Sequence, residues 1–335
     1  MAEPAAHPMT PEDFAQLARE IRREVGKAIV GQDDVVRGVL TCLIAGGHAL
    51  LEGVPGLGKT SLVRAFARVL DLQYGRIQFT PDLMPADVTG TTIIMEDETG
   101  RRVLSFQAGP VFANLILADE INRATPKTQS ALLEAMQERT VTIAGTSRPL
   151  PRPFYVLATQ NPVEMEGTYP LPEAQLDRFF YKLLISYPAR GELATIVRQT
   201  VTTLEPTTHV VASGQTLLEM HRLALEVPMS SYVLDYAVRL ILASQPGTPT
   251  GETPEMVKRY VRIGASPRGA QALTLAGRIN ALLEGRYNLS FDDVRAVAHN
   301  ALRHRMTLNF EAETQGITPD QVVTALLERV PEMPR

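Results

Sequence analysis

The sequence predicts an α/β domain with a mostly parallel sheet, followed by an all-helical domain. Three observations predict it. Short apolar runs alternate with helical segments through the first part of the chain, the pattern of parallel strands joined by crossover helices. One run, Leu115–Ala118, is wholly apolar, as in a strand buried on both faces. After about Ser186 strand-like runs stop and amphipathic periodicity takes over. A length of 335 residues fits two domains at roughly 100–200 residues each.

The elements follow in order. Thr10-Pro11-Glu12-Asp13 opens a helix with an N-cap, Pro at its first position and acids in its first turn. Phe14, Leu17, Ala18, Ile21 and Val25 continue it at helical spacing. Ile29-Val30-Gly31-Gln32 interrupts the pattern, and a second helix from about Asp33 carries Val36, Val39 and Leu43 as far as Gly46-Gly47. His48–Leu51 reads as a strand running into a glycine-rich turn, and Leu62, Val63, Phe66, Ala67 and Leu70 mark the helix beyond it. Further strands are expected at Arg76–Phe79, Val111–Ala118 and Phe154–Ala158. A helix around Thr128–Glu138 separates the last two, with Leu132, Leu133 and Met136 facing inwards. Beyond Tyr187-Pro188, helices are expected at about 190–203, 214–227, 230–245, 267–284, 290–303 and 318–329, broken at Pro246–Gly251 and Gly264–Pro267. The domain boundary is placed near Ser186, giving 1–186 and 187–335.

Composition narrows the class without naming a chemistry. Apolar residues at 44% and charged residues at 21% are ordinary for a folded globular protein. A single cysteine, Cys42, excludes a disulfide framework and points to a reducing, cytoplasmic setting. No apolar run reaches 18 residues, and the N-terminal stretch lacks the basic and apolar regions of a signal peptide. Direct membrane insertion is therefore not expected. Lys plus Arg is 33 against 37 for Asp plus Glu, a net charge of −4, which gives no general attraction to nucleic acid. His7, His48, His209, His221, His299 and His304 show no metal-ligand spacing.

The chemistry sits in two motifs. Gly53-Val54-Pro55-Gly56-Leu57-Gly58-Lys59-Thr60 fits G-x-x-x-x-G-K-[ST] at every fixed position, with a strand before it and a helix after it. Glycines let successive backbone N–H groups turn inwards around a polyanion, and the helix start adds its positive end. Lys59 reaches the outer phosphates of a nucleoside triphosphate, and the Thr60 hydroxyl helps hold Mg²⁺; Ser61 completes the predicted binding set. The second motif, Leu115-Ile116-Leu117-Ala118-Asp119-Glu120, ends an apolar strand in two carboxylates, which is costly unless they are paired or bound to metal. Asp119 is assigned to Mg²⁺, and Glu120 to activating the water that attacks the terminal phosphate.

These motifs sit in blocks that resemble the MoxR family of AAA+ ATPases. The blocks are Val54–Thr60, RIQFTPDLMPAD (76–87), AGPVFANLILADEIN (108–122), KTQSALLEAMQER (127–139) and VLATQNPVEMEGTYPLPEAQLDRF (156–179). Gly264–Gly269 and Asp293–Met306 look like that family's helical lid, so the resemblance covers about residues 10–330. It implies an AAA+ P-loop NTPase core with a helix-flanked parallel sheet and a C-terminal lid, binding ATP with Mg²⁺. It also implies that Asn161 is sensor 1, Arg178 an arginine finger serving a neighbouring subunit, and Arg268 sensor 2. Ile29-Val30-Gly31-Gln32, of which Val30, Gly31 and Gln32 enter the predicted binding set, falls where such proteins line the adenine pocket, although four residues of loop do not dictate a base. Residues about 80–109 correspond to a helix-2 insert. Residues about 139–153, with alternating Val141 and Ile143 before Gly145, correspond to a pre-sensor-1 hairpin.

The implied function is ATP hydrolysis by a homo-oligomeric, hexameric ring that remodels or matures a protein client. No D-x-S-x-S motif occurs in the sequence, so a von Willebrand factor A partner module, if needed, belongs to another chain. Two alternatives stay open from the sequence: a nucleotide-gated assembly scaffold with slow hydrolysis, and a chelatase-type or DNA-associated AAA+ motor. The lack of a nucleic-acid module counts against the DNA version.

Overall fold

The computed structural model describes residues 9–96, 100–161, 167–201, 207–248 and 251–333. His7, residues 162–166 of the last motif block and the end of the helix expected at 190–203 lie outside them. The chain divides into two compact units. One comprises Glu24–Val39 and Gly46–Gly214, and the other Met1–Arg23, Leu40–Ala45 and Gln215–Arg335. Residues 209–212 are tied to the first unit through their backbone: His209 N–H donates to Glu24 Oε1 at 2.7 Å, and Val211 N–H to the Val69 carbonyl at 2.8 Å.

The chain opens with α1 (Pro11–Gly26) and α2 (Asp33–Ile44). Then follow β1 (Ala49–Glu52), α3 (Lys59–Val69), β2 (Tyr74–Gln78), α4 (Pro85–Thr89), β3 (Gly90–Glu96) and β4 (Arg102–Ala108). The first unit continues with β5 (Leu115–Asp119), a 3-10 turn (Ile121–Arg123), α5 (Pro126–Glu138), β6 (Thr140–Ile143) and β7 (Thr146–Pro149). It ends with β8 (Tyr155–Gln160), α6 (Glu173–Leu176), β9 (Tyr181–Leu184) and α7 (Arg190–Thr200). The expected strand from Val111 starts only at Leu115, because Phe112 N–H folds back onto the Gly109 carbonyl at 3.1 Å. β9 had no distinct signal in the sequence.

Five strands form one sheet in the order β2-β5-β8-β1-β9, and every neighbouring pair is parallel. β5 and β8 are interior strands, buried along nearly their whole length, so each residue must be apolar or hydrogen-bonded. Leu132, Leu133, Ala135 and Met136 of α5 pack into one core with Ile116, Ala118, Val156 and Ala158. Full burial of each large side chain is worth about 1.5–3 kcal/mol. The hairpins β3–β4 and β6–β7 stand outside this sheet as separate antiparallel pairs, where the helix-2 insert and the pre-sensor-1 hairpin were expected.

His48 ties the sheet together just before β1. Val156 N–H donates to its Nδ1 at 3.0 Å, so the ring proton lies on Nε2, which donates to the Met136 carbonyl at 3.2 Å. The ring is buried, and burial pushes its pKa down to about 4, with Arg139 adding to the effect and the Met136 carbonyl opposing it.

The second unit is helical: α8 (Gly214–Glu226), α9 (Ser231–Ala243), α10 (Glu255–Tyr260), α11 (Pro267–Leu283), α12 (Phe291–Leu302), α13 (Phe310–Thr314) and α14 (Pro319–Arg329). The expectation of helices alone needs one correction. β10 (Val261–Ile263) and β11 (Thr307–Leu308) pair antiparallel, runs too short to show alternation. α11 packs on α9 and α12, and α12 on α14. Ser290 caps α12 as expected, accepting from Asp293 N–H at 3.3 Å. Burial of Asp293 opposes its ionisation, but hydrogen bonds from Arg286, Ser290 and Asn280 outweigh it and hold the carboxyl below its ordinary range. Among the described residues no helix is long and apolar enough to cross a membrane.

The His48 geometry predicts a pH dependence. The unfolded chain takes up a proton near 6.5 and the folded one only near 4, so stability is complete above about pH 7 and falls as the pH drops from 6.5 towards 4. The full loss is on the order of 3 kcal/mol. Denaturant unfolding at a series of pH values should show that slope, and His48→Gln should flatten it. An equal slope in the variant contradicts the assignment.

Candidate functional site

The site lies at the carboxyl ends of the parallel strands. β1 ends at Glu52 and the glycine-rich loop follows; β5 ends at Asp119; β8 ends at Gln160, just before Asn161. β1 and β8 are neighbours, yet the chain leaves β1 for the far edge strand β2. That reversal of strand order is where an open α/β sheet leaves a crevice for a ligand.

Gly56 and Gly58 have φ of +83° and +77°, a region that favours glycine. A Cβ at either position would point into open space, so the loop is a cradle, unfilled by its own side chains. Gly58 is also the N-cap of the 11-residue α3, whose first N–H groups and positive end face any anion seated there. Lys59 Nζ donates to the Gly53 carbonyl at 2.5 Å. Burial pushes its pKa down, against the pull of Asp119, Glu120 and Glu52 in the other direction.

Pro55, Gly56, Gly58, Lys59, Thr60, Ser61, Asp119, Glu120, Thr159 and Asn161 line one cavity of about 330 Å³. The structure thus brings together the loop, both carboxylates and Asn161, which is buried. Gly53, whose would-be Cβ meets Ile185, and Val54 and Leu57 belong to the loop without lining the cavity. Val30, Gly31 and Gln32 lie between α1 and α2. Gly31 approaches the Glu192 side chain, and Gln32 Nε2 donates to the Ser186 carbonyl at 3.0 Å. Arg178 lines a different cavity with Ser130, Leu133, Glu134, Gln137, Glu138 and Gln175, and its Nη1 donates to the Leu133 carbonyl at 2.8 Å. Arg268 belongs to the helical unit, at the start of α11, where its backbone N–H is capped by Ser266 Oγ at 3.1 Å.

Sequence reasoning missed Thr159. Its hydroxyl donates to Asp119 Oδ1 at 2.7 Å and accepts from Glu120 N–H at 2.8 Å. Glu120 has left-handed backbone geometry, φ 56° and ψ 49°, rare for a residue with a Cβ and found where surroundings enforce it. The signal was present: Thr159 is a polar residue at the end of an otherwise apolar strand, and the register sets Ala158 beside Ala118, one residue before both. Arg76, Gln78 and Arg123 were also missed. Arg76 Nη2 pairs with Asp119 Oδ2 at 2.7 Å, Gln78 Nε2 donates to Glu120 Oε2 at 2.8 Å, and Arg123 reaches the same oxygen at 3.2 Å.

Comparison with known proteins agrees with this geometry. Residues 48–181 match the ATPase family associated with various cellular activities (AAA), and residues 254–326 match the AAA lid domain. Chaperone MoxR1 of Mycobacterium tuberculosis is 43% identical over 331 residues, covering 97% of this chain and 86% of that protein. The chain belongs to the MoxR family of AAA+ ATPases. Protein MoxR of Methylorubrum extorquens is 34% identical over 338 residues, covering 95% of this chain and 96% of its own length. The crystal structure of a candidate ATPase from Cytophaga hutchinsonii superposes with a TM-score of 0.89 at 40% identity, covering 97% of each chain. A MoxR-family AAA core and lid, built to bind nucleotide, is thus the frame for the residue roles.

Thr159→Val keeps the shape of the side chain but removes both hydrogen bonds. Stability should fall by about 1–3 kcal/mol, the cost of stranded buried polar groups, and ATP turnover should fall with it, while Thr159→Ser should retain both. Denaturant unfolding and a phosphate-release assay on the three proteins test this. A Val variant as stable and active as the parent rules out the role.

Proposed function

We propose that this chain hydrolyses ATP with Mg²⁺ as a ring-forming machine that remodels or matures a partner protein. The observation carrying this reading is the convergence of Lys59, Thr60, Asp119, Glu120 and Asn161 on one cavity at the glycine-rich loop. The residues fit the metal. No group of three or more His, Cys, Asp or Glu side chains is poised to cage an ion among the described residues. Thr60 and Asp119 instead offer one hydroxyl and one carboxylate, the sparse oxygen set of Mg²⁺ that draws its other ligands from phosphate and water. When bound, the ion neutralises phosphate charge and orients the reacting group.

The chain's own residues supply the rest. Backbone N–H groups of Gly56–Thr60 and the start of α3 bind the phosphates, and Lys59 adds a mobile cation once it leaves the Gly53 carbonyl. Thr159 fixes Asp119 and the Glu120 backbone, so Glu120 is held where it takes the proton of an attacking water. Asn161 orients that water. Val30, Gly31 and Gln32 take the base side. Arg178 serves the site of the next subunit; its place in a cavity apart from Lys59 and Asp119 supports action in trans. Arg268 acts from the lid. On this reading residues 1–186 form the nucleotide-binding core and 187–335 the lid, and the ring is a cytoplasmic hexamer.

The chaperone name of the Mycobacterium relative supports a protein client, reached directly or through a von Willebrand factor A partner. One observation favours a slower, scaffold-like cycle as the second reading: the Glu120 carboxylate is already engaged by Gln78 and Arg123. Glu120→Gln separates the roles. It should bind ATP with unchanged affinity and lose at least about 100-fold in turnover, the usual worth of a general base. Turnover at the parental rate contradicts Glu120 as the base.

A further inference from the structure

Each carboxylate of the site is held by a residue of the edge strand β2. The register sets Gln78 beside Asp119, and strand alternation puts Arg76 and Gln78 on one face with Ile77 on the other. Arg76 Nη2 lies 2.7 Å from Asp119 Oδ2 and 2.7 Å from Gln78 Oε1. Gln78 in turn donates to Glu120 Oε2 at 2.8 Å. A continuous path, Asp119–Arg76–Gln78–Glu120, therefore joins the two acids outside the Thr159 link. Both oxygens of Asp119 have donors, Thr159 on one and Arg76 on the other.

We propose that Arg76 is a built-in counter-cation that guards Asp119. The inference rests on the reading of Asp119 as a cation ligand. The guanidinium sets its positive charge against the oxygen that would face a divalent ion, and two cations beside one carboxylate repel each other, so binding of the ion at Oδ2 competes with the Arg76 contact. The pair is poised for exchange, because the Arg76 and Asp119 side chains are 42% and 15% exposed and ion pairs open to water are weak. Arg76 is thus a positioning residue: it discourages uptake of a bare cation until nucleotide and cation arrive together.

The test uses Mn²⁺ as the probe, followed by electron paramagnetic resonance on the full chain, with and without a non-hydrolysable ATP analogue. Arg76→Ala should bind Mn²⁺ without nucleotide about fivefold more tightly than the parent, the scale of a partly exposed ion pair. Arg76→Lys should restore the parental affinity, and the analogue should narrow the gap. Thermal unfolding of each variant checks that the fold is kept. Equal or equally undetectable Mn²⁺ binding by the parent and Arg76→Ala overturns the guard. If Asp119→Asn meanwhile weakens Mn²⁺ binding in the analogue complex, the assignment of Asp119 survives that failure. No effect of Asp119→Asn removes the assignment and the guard with it.

Discussion

Two carboxylates at the end of a strand buried on both faces are the constraint on which the site depends. β5 is apolar from Leu115 to Ala118, and Asp119 and Glu120 follow at once, where desolvation makes an unpaired charge costly. The neighbouring strands provide the partners. β8 supplies Thr159, which bridges the Asp119 side chain and the Glu120 backbone, and β2 supplies Arg76 and Gln78. The parallel order β2-β5-β8 is what puts all of these at the same edge of the sheet.

The same carboxylates explain why the glycine-rich loop cannot work alone. Acids beside a bound triphosphate repel it, so the site needs positive charge from elsewhere. Lys59, the start of α3 and the proposed Mg²⁺ are that charge. Burial lowers the Lys59 pKa while Asp119, Glu120 and Glu52 resist the change, so acids and lysine form one balanced group. Removing any member changes the electrostatics of the others.

Much of this was legible in the sequence, and the limits have physical causes. The glycine-rich loop declares itself because Gly56 and Gly58 require positive φ, a demand few other residues meet. The β5 signal survives because burial on both faces leaves no polar position before Asp119. By contrast β9, four residues with one exposed apolar side chain, Leu184, carries no periodicity to read. Thr159, Arg76 and Gln78 are invisible as motifs because their role is set by register across strands far apart in the chain. The tie of residues 209–212 to α1 and α3 depends on a few backbone N–H donors, which composition does not encode.

Under the proposed function, each triphosphate pocket is completed by a second subunit through Arg178. Mixing Glu120→Gln chains with Arg178→Ala chains, each inactive alone, tests it most directly. Sites in co-assembled rings that combine an intact Glu120 with a neighbour's intact Arg178 should hydrolyse ATP, so phosphate release should reappear in the mixture. A mixture as inactive as its two components, with co-assembly verified by size, contradicts the account.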